Sequence, residues 1–412
     1  MQRDLILRGG RVLRFGAAEP ELADIRIDTQ GRIAAIGPDL PEADAEVLAL
    51  EKRLVLPGLV DMHQHLDKSR TRSLLNNPSG TLDGALNAYR ALAPNITPDQ
   101  MITRALRTVD ACSAHGTVAI RSHTNIESAS GLRGVEAMIA ARERCAARMR
   151  LQVVAHITSD ATSMLDASRQ WLRAAIDLGV DVVGGVPAYS REPIAFMKLL
   201  FEMADRSGLP LDMHVDEHLD GANVLFDTIV ELTRAYGMAG RVVASHCSAL
   251  SAMPRDAAFR ICEAFRGAGI AVVTLPAANL FLQGRSADRL PPRGLTRVKE
   301  LLDSGVAVAA ASDNIQDAFV PIGSGDLLEV ARWTVVAGQL GLNDLRGAFD
   351  MVSSVPAKLM GLADEWGIRE GARADLLIVP ADGIEDLVAG GAVERMVFVG
   401  GRLVASTKAV AP

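Results

Sequence analysis

The chain has 412 residues, enough for one large α/β domain and a smaller one. A hydrophobic fraction of 49% and a charged fraction of 23% are those of an ordinary globular enzyme. A net charge of −7 and an aromatic content of 4% exclude the basic, base-stacking surface of a nucleic-acid binder.

The first 55 residues alternate in short β-prone segments. Residues 3–8, 11–15, 23–28 and 33–36 read as strands, separated by Gly9-Gly10, Gln30-Gly31 and Gly37-Pro38. This start lacks the apolar core of a signal peptide. Residues 54–61 are mostly apolar and read as one buried strand. Further apolar strands follow at 118–121, 151–155, 180–186, 209–215, 242–245, 270–275 and 306–311. Helical patterns lie between them, such as 132–150, 194–207, 223–239 and 254–268, and a helix-rich segment, 333–362, follows the last strand. Eight strand–helix units, with strands apolar enough to be buried on both faces, predict a (β/α)8 TIM-like barrel. The tail returns to β texture, with strands at 374–379 and 394–399 and a hairpin turn at Gly400-Gly401. The expected organisation is α/β: a metal-dependent barrel over residues 56–362 and a small β-sandwich domain formed from both termini, residues 1–55 and 363–412. No apolar run reaches the roughly 18 residues of a membrane span. Cys112, Cys145, Cys247 and Cys262 are scattered without a C-x-x-C pair, which fits free thiols in a reducing compartment, the cytoplasm by default.

In such a barrel the C-terminal ends of the strands carry the chemistry. Of the eight histidines, His115 precedes a strand and reads as a surface residue. His63, His65, His123, His156, His214, His218 and His246 all fall at or just beyond strand C-terminal ends. His63 and His65 are two apart on one strand, so their rings share a face and can ligate one ion. Alone, the pair fits a metal-free segment equally well; the rest of the rim favours the ion. Those two, His214 from strand five and Asp313 from strand eight make a nitrogen/oxygen set suited to Zn or Fe with a position open to water. Such an ion lowers the water pKa from 15.7 to about 7 and supplies hydroxide. Glu217, three residues past His214, is placed to carry a proton to a leaving group; the competing reading is a solvated loop carboxylate. His246, from the next strand, can polarise the reacting centre or hold the hydroxide; the competing reading is a packed strand-end histidine.

This constellation resembles the amidohydrolase superfamily and, within it, the bacterial cytosine deaminase group. The resemblance spans nearly the whole chain. It is carried by Pro57-Gly58-Leu59-Val60-Asp61-Met62-His63-Gln64-His65-Leu66-Asp67, Asp212-Met213-His214-Val215-Asp216-Glu217, Ser245-His246, Leu282-Gln283-Gly284-Arg285, Gly184-Gly185-Val186-Pro187 and Arg293-Gly294-Leu295-Thr296-Arg297-Val298-Lys299-Glu300. It implies His63, His65, His214 and Asp313 as metal ligands, Glu217 and His246 as the proton-transfer pair, and Asp313 as a base toward the metal-bound water. Strand four ends without the lysine that bridges two metals in other branches, so one divalent ion is expected. His156, Asn314 and Phe319 stand where cytosine deaminases carry a glutamine, a second aspartate and a tryptophan. With Gln283 they are the expected substrate contacts, and their changed donor and acceptor pattern implies a ring other than plain cytosine. His65-Leu66-Asp67-Lys68-Ser69 and Ala311-Ser312-Asp313-Asn314-Ile315-Gln316-Asp317 are more similar to N-isopropylammelide isopropyl amidohydrolases, triazine enzymes that displace an alkylamine. There Lys68 becomes an extra cation for a ring carbonyl, against the reading of a surface lysine.

The expected activity is hydrolytic deamination of a small nitrogen heterocycle, a pyrimidine, triazine or related amino or alkylamino ring, with metal-bound hydroxide attacking the C–N carbon. Its rival is ring-opening hydrolysis of a cyclic amide, the hydantoinase type, against which the missing lysine counts. A barrel that has lost activity and only binds ligand is the remaining alternative; the presence of His63, His65, His214, Asp313 and Glu217 argues against it. The expected partner is the small heterocyclic substrate, with no nucleic acid and no membrane; relatives are often homo-oligomers.

Overall fold

The computed structural model describes residues 3–285, 287–288 and 294–408; Met1, Gln2, Arg293 and residues 409–412 named above lie outside the described residues. The segment expected as one strand over 54–61 is two strands in two sheets. Leu54–Pro57 pairs antiparallel with Leu376–Val379 and parallel with Asp4–Val12, whereas Leu59–Gln64 opens the barrel. Gly58 makes the transfer. Its N–H donates to the Asp375 carbonyl at 2.9 Å, its carbonyl accepts the Trp366 indole at 2.9 Å, and any Cβ there would run into Val118. An apolar run reads alike in one sheet or two, which is why the break is invisible in the pattern.

The barrel strands follow in parallel order: Leu59–Gln64, Thr117–Ile126, Arg150–Ile157, Val182–Gly185, Leu211–Val215, Val242–His246, Ala271–Thr274 and Val308–Ala310. A parallel bridge between Gln64 and Asp313 joins the last to the first, with the Asp313 N–H donating to the His63 carbonyl at 2.9 Å. That closure draws Asp313 to the two histidines of strand one. Helices Arg133–Cys145, Pro193–Ser207, Phe226–Ala235 and Arg255–Ala268 occupy the expected places, the first, third and fourth with shorter ends and the second one residue longer at its start. Gly208 and Gly269 stop the second and fourth of these in left-handed conformation. Two more helices, Leu82–Leu92 and Pro98–Ala114, fill the long connection after strand one; the latter starts on a capping box of Thr97 and Gln100. Leu327–Ala337, Leu345–Asp350 and Ser354–Leu359 account for the helix-rich stretch.

Strands from both ends of the chain form one eight-stranded sheet. Gly9-Gly10 does not separate two strands there; it is a bulge inside Asp4–Val12, with Gly9 at φ 65°. Ala45–Ala49 is an additional strand, unannounced in the sequence because its residues are mostly exposed. Side chains alternate between two cores: Leu54, Leu56, Leu377 and Val379 join the barrel core, while Val55, Leu376 and Ile378 join a smaller one with Leu7, Ile25 and Phe398. The four cysteines are buried and unpaired. Among the described residues no helix is long and apolar enough to cross a membrane.

Candidate metal centre and active site

Six imidazoles converge at the C-terminal mouth of the barrel: His63, His123, His156, His214 and His246 on strands one, two, three, five and six, and His65 just past strand one. His63 stacks on His123 at 3.8 Å between centroids, and His156 lies 4.3 Å from His214. Asp313 Oδ1 reaches in to 3.3 Å from His65 Nε2 and 3.7 Å from His63 Nε2. Burial first, and then neighbouring positive charge, holds the pKa of His63, His65 and His214 well below the usual imidazole range. The three rings are therefore neutral, with lone pairs to offer.

Among the described residues, His63 Nε2, His214 Nε2 and Asp313 Oδ1 are buried without a hydrogen-bond partner. Leaving such groups unpaired costs about 1–3 kcal/mol each. A divalent cation would satisfy them together, and neutral imidazoles with a carboxylate are an appropriate donor set. His63, His246 and Asp313 also bring ligand atoms within 4.8 Å of one another, as do His63, His123 and His214.

The far sides of the rings are anchored. His65 Nδ1 donates to the His123 carbonyl at 2.8 Å. His63 Nδ1 lies 2.9 Å from Ser245 Oγ, whose own hydrogen goes to Asp212 Oδ1 at 3.0 Å. Burial pushes the Asp212 carboxyl up, but His123 and Arg121 more than offset this and hold it below its ordinary value. Arg121 Nη1 is 2.8 Å from Asp212 Oδ2. Asp212 is thus an acceptor, Ser245 gives it the hydroxyl proton, and Ser245 in turn accepts from His63 Nδ1–H. That leaves His63 Nε2 bare toward Asp313, the tautomer a ligand needs.

Glu217 follows strand five with Oε1 3.4 Å from His246 Nδ1 and Oε2 3.8 Å from His214 Nδ1. Burial, reinforced by Asp313, raises its pKa well above the usual carboxylate range, which favours its protonated form. Burial pushes His246 down to about 4, although Asp313 pulls the other way. His246 Nε2 is 3.0 Å from His214 Nδ1, and the Asn279 amide is 3.1 Å from His246 Nδ1.

A narrow cavity of about 40 Å³ opens onto this centre. His65, Lys68, His156, His214, Glu217, His246, Asp313, Asn314 and Phe319 line it, with Asn125 and Tyr189. His63 and His123 lie beneath, fully buried. Lys68 is 4% exposed; its ammonium donates to Asn125 Oδ1 at 2.9 Å and sits 4.9 Å from the Phe319 ring centroid. Gln283, expected to touch substrate, does not line the cavity; its amide donates to the Glu217 carbonyl at 3.1 Å, one step behind the site. His218 stands apart, 3.7 Å from Asp216, and His115 lies by Asp326, outside the cavity.

Sequence reasoning quoted Ser245 and Asp212 within motifs but gave them no role, and it missed Arg121, Asn125 and Asn279. A signal existed for Arg121, Asn125 and Asp212: each is two residues from a rim histidine, hence on the same face of its strand, one layer down or up. Asn279 comes from the helix Pro276–Leu282 and has no such marker.

The amidohydrolase family model matches residues 69–405. A pterin deaminase of Rhizobium rhizogenes is 31% identical over 366 residues, covering 88% of this chain and 83% of that protein. The N-isopropylammelide isopropyl amidohydrolase of a Pseudomonas species is 27% identical over 384 residues, 91% of each chain. Among solved structures, the 5-methylcytosine deaminase of Klebsiella pneumoniae bound to 5-fluorocytosine superposes with a TM-score of 0.90 at 28% identity, over 99% of this chain and 98% of that one.

Proposed function

The chain belongs to the amidohydrolase family of metal-dependent enzymes, and we propose that within it this protein is a hydrolytic deaminase of a small nitrogen heterocycle. The observation that carries the reading is Glu217, a buried carboxyl of raised pKa on the wall of a cavity lined by imidazoles and Asp313, 3.4 Å from His246 and 3.8 Å from His214. The names of the three relatives all denote removal of an amine from a heterocycle, which supports the same class of substrate here.

In this reading His63, His65, His214 and Asp313 hold one divalent ion, Zn or Fe; the unpartnered atoms of His63, His214 and Asp313 support the assignment. When bound, the ion supplies an activated water at neutral pH. Asp313 takes the proton of the attacking water. Glu217 gives its proton to the ring nitrogen beside the attacked carbon and recovers one from the hydroxyl now on that carbon, while the amine leaves with the proton that Asp313 took from water. His246 hydrogen-bonds the oxygen as it joins the carbon. His156, Asn314, Phe319 and Lys68 hold the ring in place. Water adds its oxygen and the C–N bond breaks, giving the oxo ring plus ammonia or an alkylamine. Strand four, Val182–Gly185, runs into Val186-Pro187 without a lysine, which favours a single ion and counts against cyclic-amide hydrolysis.

The test is a panel of aminopyrimidines, aminotriazines, aminopterins and their N-alkyl forms, offered to metal-loaded protein and read by mass spectrometry. Loss of ammonia or amine with gain of oxygen, ring intact, is the expected result. A new carboxylate would transfer the protein to the cyclic-amide hydrolases. No turnover with metal verified in the site would overturn the proposal.

A further inference from the structure

The loop after strand eight carries two cavity residues, Asn314 and Phe319, with Asp317 buried between them at 3% exposure. Every oxygen of Asp317 is engaged. Oδ1 accepts the backbone N–H groups of Phe319 at 2.8 Å and Val320 at 3.1 Å, and Oδ2 accepts Asn314 Nδ2 at 2.6 Å. Burial raises the Asp317 pKa to about 6, still low enough to leave it mostly an acceptor at neutral pH. An asparagine amide has a donor end and an acceptor end, and a carboxylate takes only the donor end. Oδ1 is then the end of Asn314 left for the cavity, and no described residue donates to it.

Lys68 lines the same cavity. Among the described residues its ammonium has one hydrogen-bond acceptor, the neutral Asn125 Oδ1, and no carboxylate within ion-pair distance. An ammonium with donors to spare and an amide carbonyl with no protein donor, both on the cavity wall, are placed for a ligand to complete them. The Phe319 ring, 4.9 Å from the ammonium, is held through its backbone by the same carboxylate that holds Asn314.

We propose that Asp317 is a positioning residue that fixes the sense of the Asn314 amide, so that Asn314 Oδ1 and the Lys68 ammonium together select rings with a lactam edge, an N–H beside a C=O. The N–H donates to Asn314 and the carbonyl accepts from Lys68. This rests on the heterocycle deaminase reading and narrows its substrate class.

The experiment uses zinc-loaded full-length protein and two probe pairs, pterin with 3-methylpterin and cytosine with 1-methylcytosine; in each pair methylation removes the lactam N–H. Binding is measured by calorimetry on Glu217→Gln, and kcat and KM on protein with Glu217 intact. Methylation is expected to weaken binding and lower kcat/KM at least ~100-fold, mostly through KM. Asp317→Asn, which frees the amide to turn, should cut that discrimination at least tenfold with zinc content unchanged. Equal affinity within both pairs, or no binding of either, overturns the proposal, and so does a folded, zinc-loaded Asp317→Asn that discriminates like wild type. Selective binding of the lactam rings without turnover of any would uphold the selection and remove the deaminase reading instead. Should Asp317→Asn not fold, the wild-type and Glu217→Gln pairs still decide the lactam selection.

Discussion

In the terminal sheet, the non-glycine residues with left-handed backbone, Asp39, Asp44, Glu51 and Lys52, lie in exposed turns. At the barrel rim the same conformation falls on Asp216, His246, Cys247 and Asp313, which are buried, and on Arg70 and Gln316, which are half-buried. The sheet relieves its strain in solvent; the rim holds its strain inside, at about 1–3 kcal/mol per residue, because the closed barrel leaves those residues nowhere else to go. Polarity follows the same division. The smaller core consists of side chains such as Leu7, Val12, Ile25 and Phe398, each almost fully buried and apolar. The rim gathers histidines and carboxylates that repel, desolvate and shift one another. One region is optimised for stability and the other is held away from its local optimum by the first.

The contrast can be broken most directly at the metal. Chelation should abolish turnover and lower the melting temperature, because the buried imidazoles and Asp313 lose their partner, while far-UV circular dichroism at 25 °C stays native; re-addition of zinc should restore both. Full activity after verified metal removal would end the comparison. Glu217→Gln should keep the ion and lose about 10²–10⁴-fold in kcat, measured alongside metal content. Glu217 also sets a pH dependence. Its pKa is raised, so the protonated form needed for donation persists to higher pH than in a free carboxyl and is lost as pH rises through that raised value. The kcat/KM profile should therefore fall on its alkaline side, and a flat alkaline limb would remove Glu217 from the proton path. Ser245→Ala takes away the partner of His63 Nδ1 and should weaken zinc affinity about 10–100-fold in a competition titration. The smallest effect on activity belongs to the sheet. Ile25→Ala should cost about 2–5 kcal/mol in chemical denaturation yet leave kcat/KM within twofold. A large loss of kcat/KM there would show that the two regions are coupled.

The sequence by itself determined the barrel, the location of its mouth and most of the residues gathered there. The physical reason is local: strand and helix periodicities are written in neighbouring residues, and a strand's last residues point to the mouth whatever surrounds them. His63, His65, His214, Glu217, His246 and Asp313 were all legible that way. Only tertiary structure decided the rest. The switch of sheets at Gly58 depends on Val118 and Trp366 packing from elsewhere in the chain. The tautomer of His63 depends on Ser245, 182 residues away, and through it on Asp212 and Arg121. Gln283 supports the Glu217 backbone instead of lining the cavity, a placement no spacing reveals. The raised pKa of Glu217 follows from burial depth and from the carboxylate of Asp313, quantities that exist only once the barrel has closed.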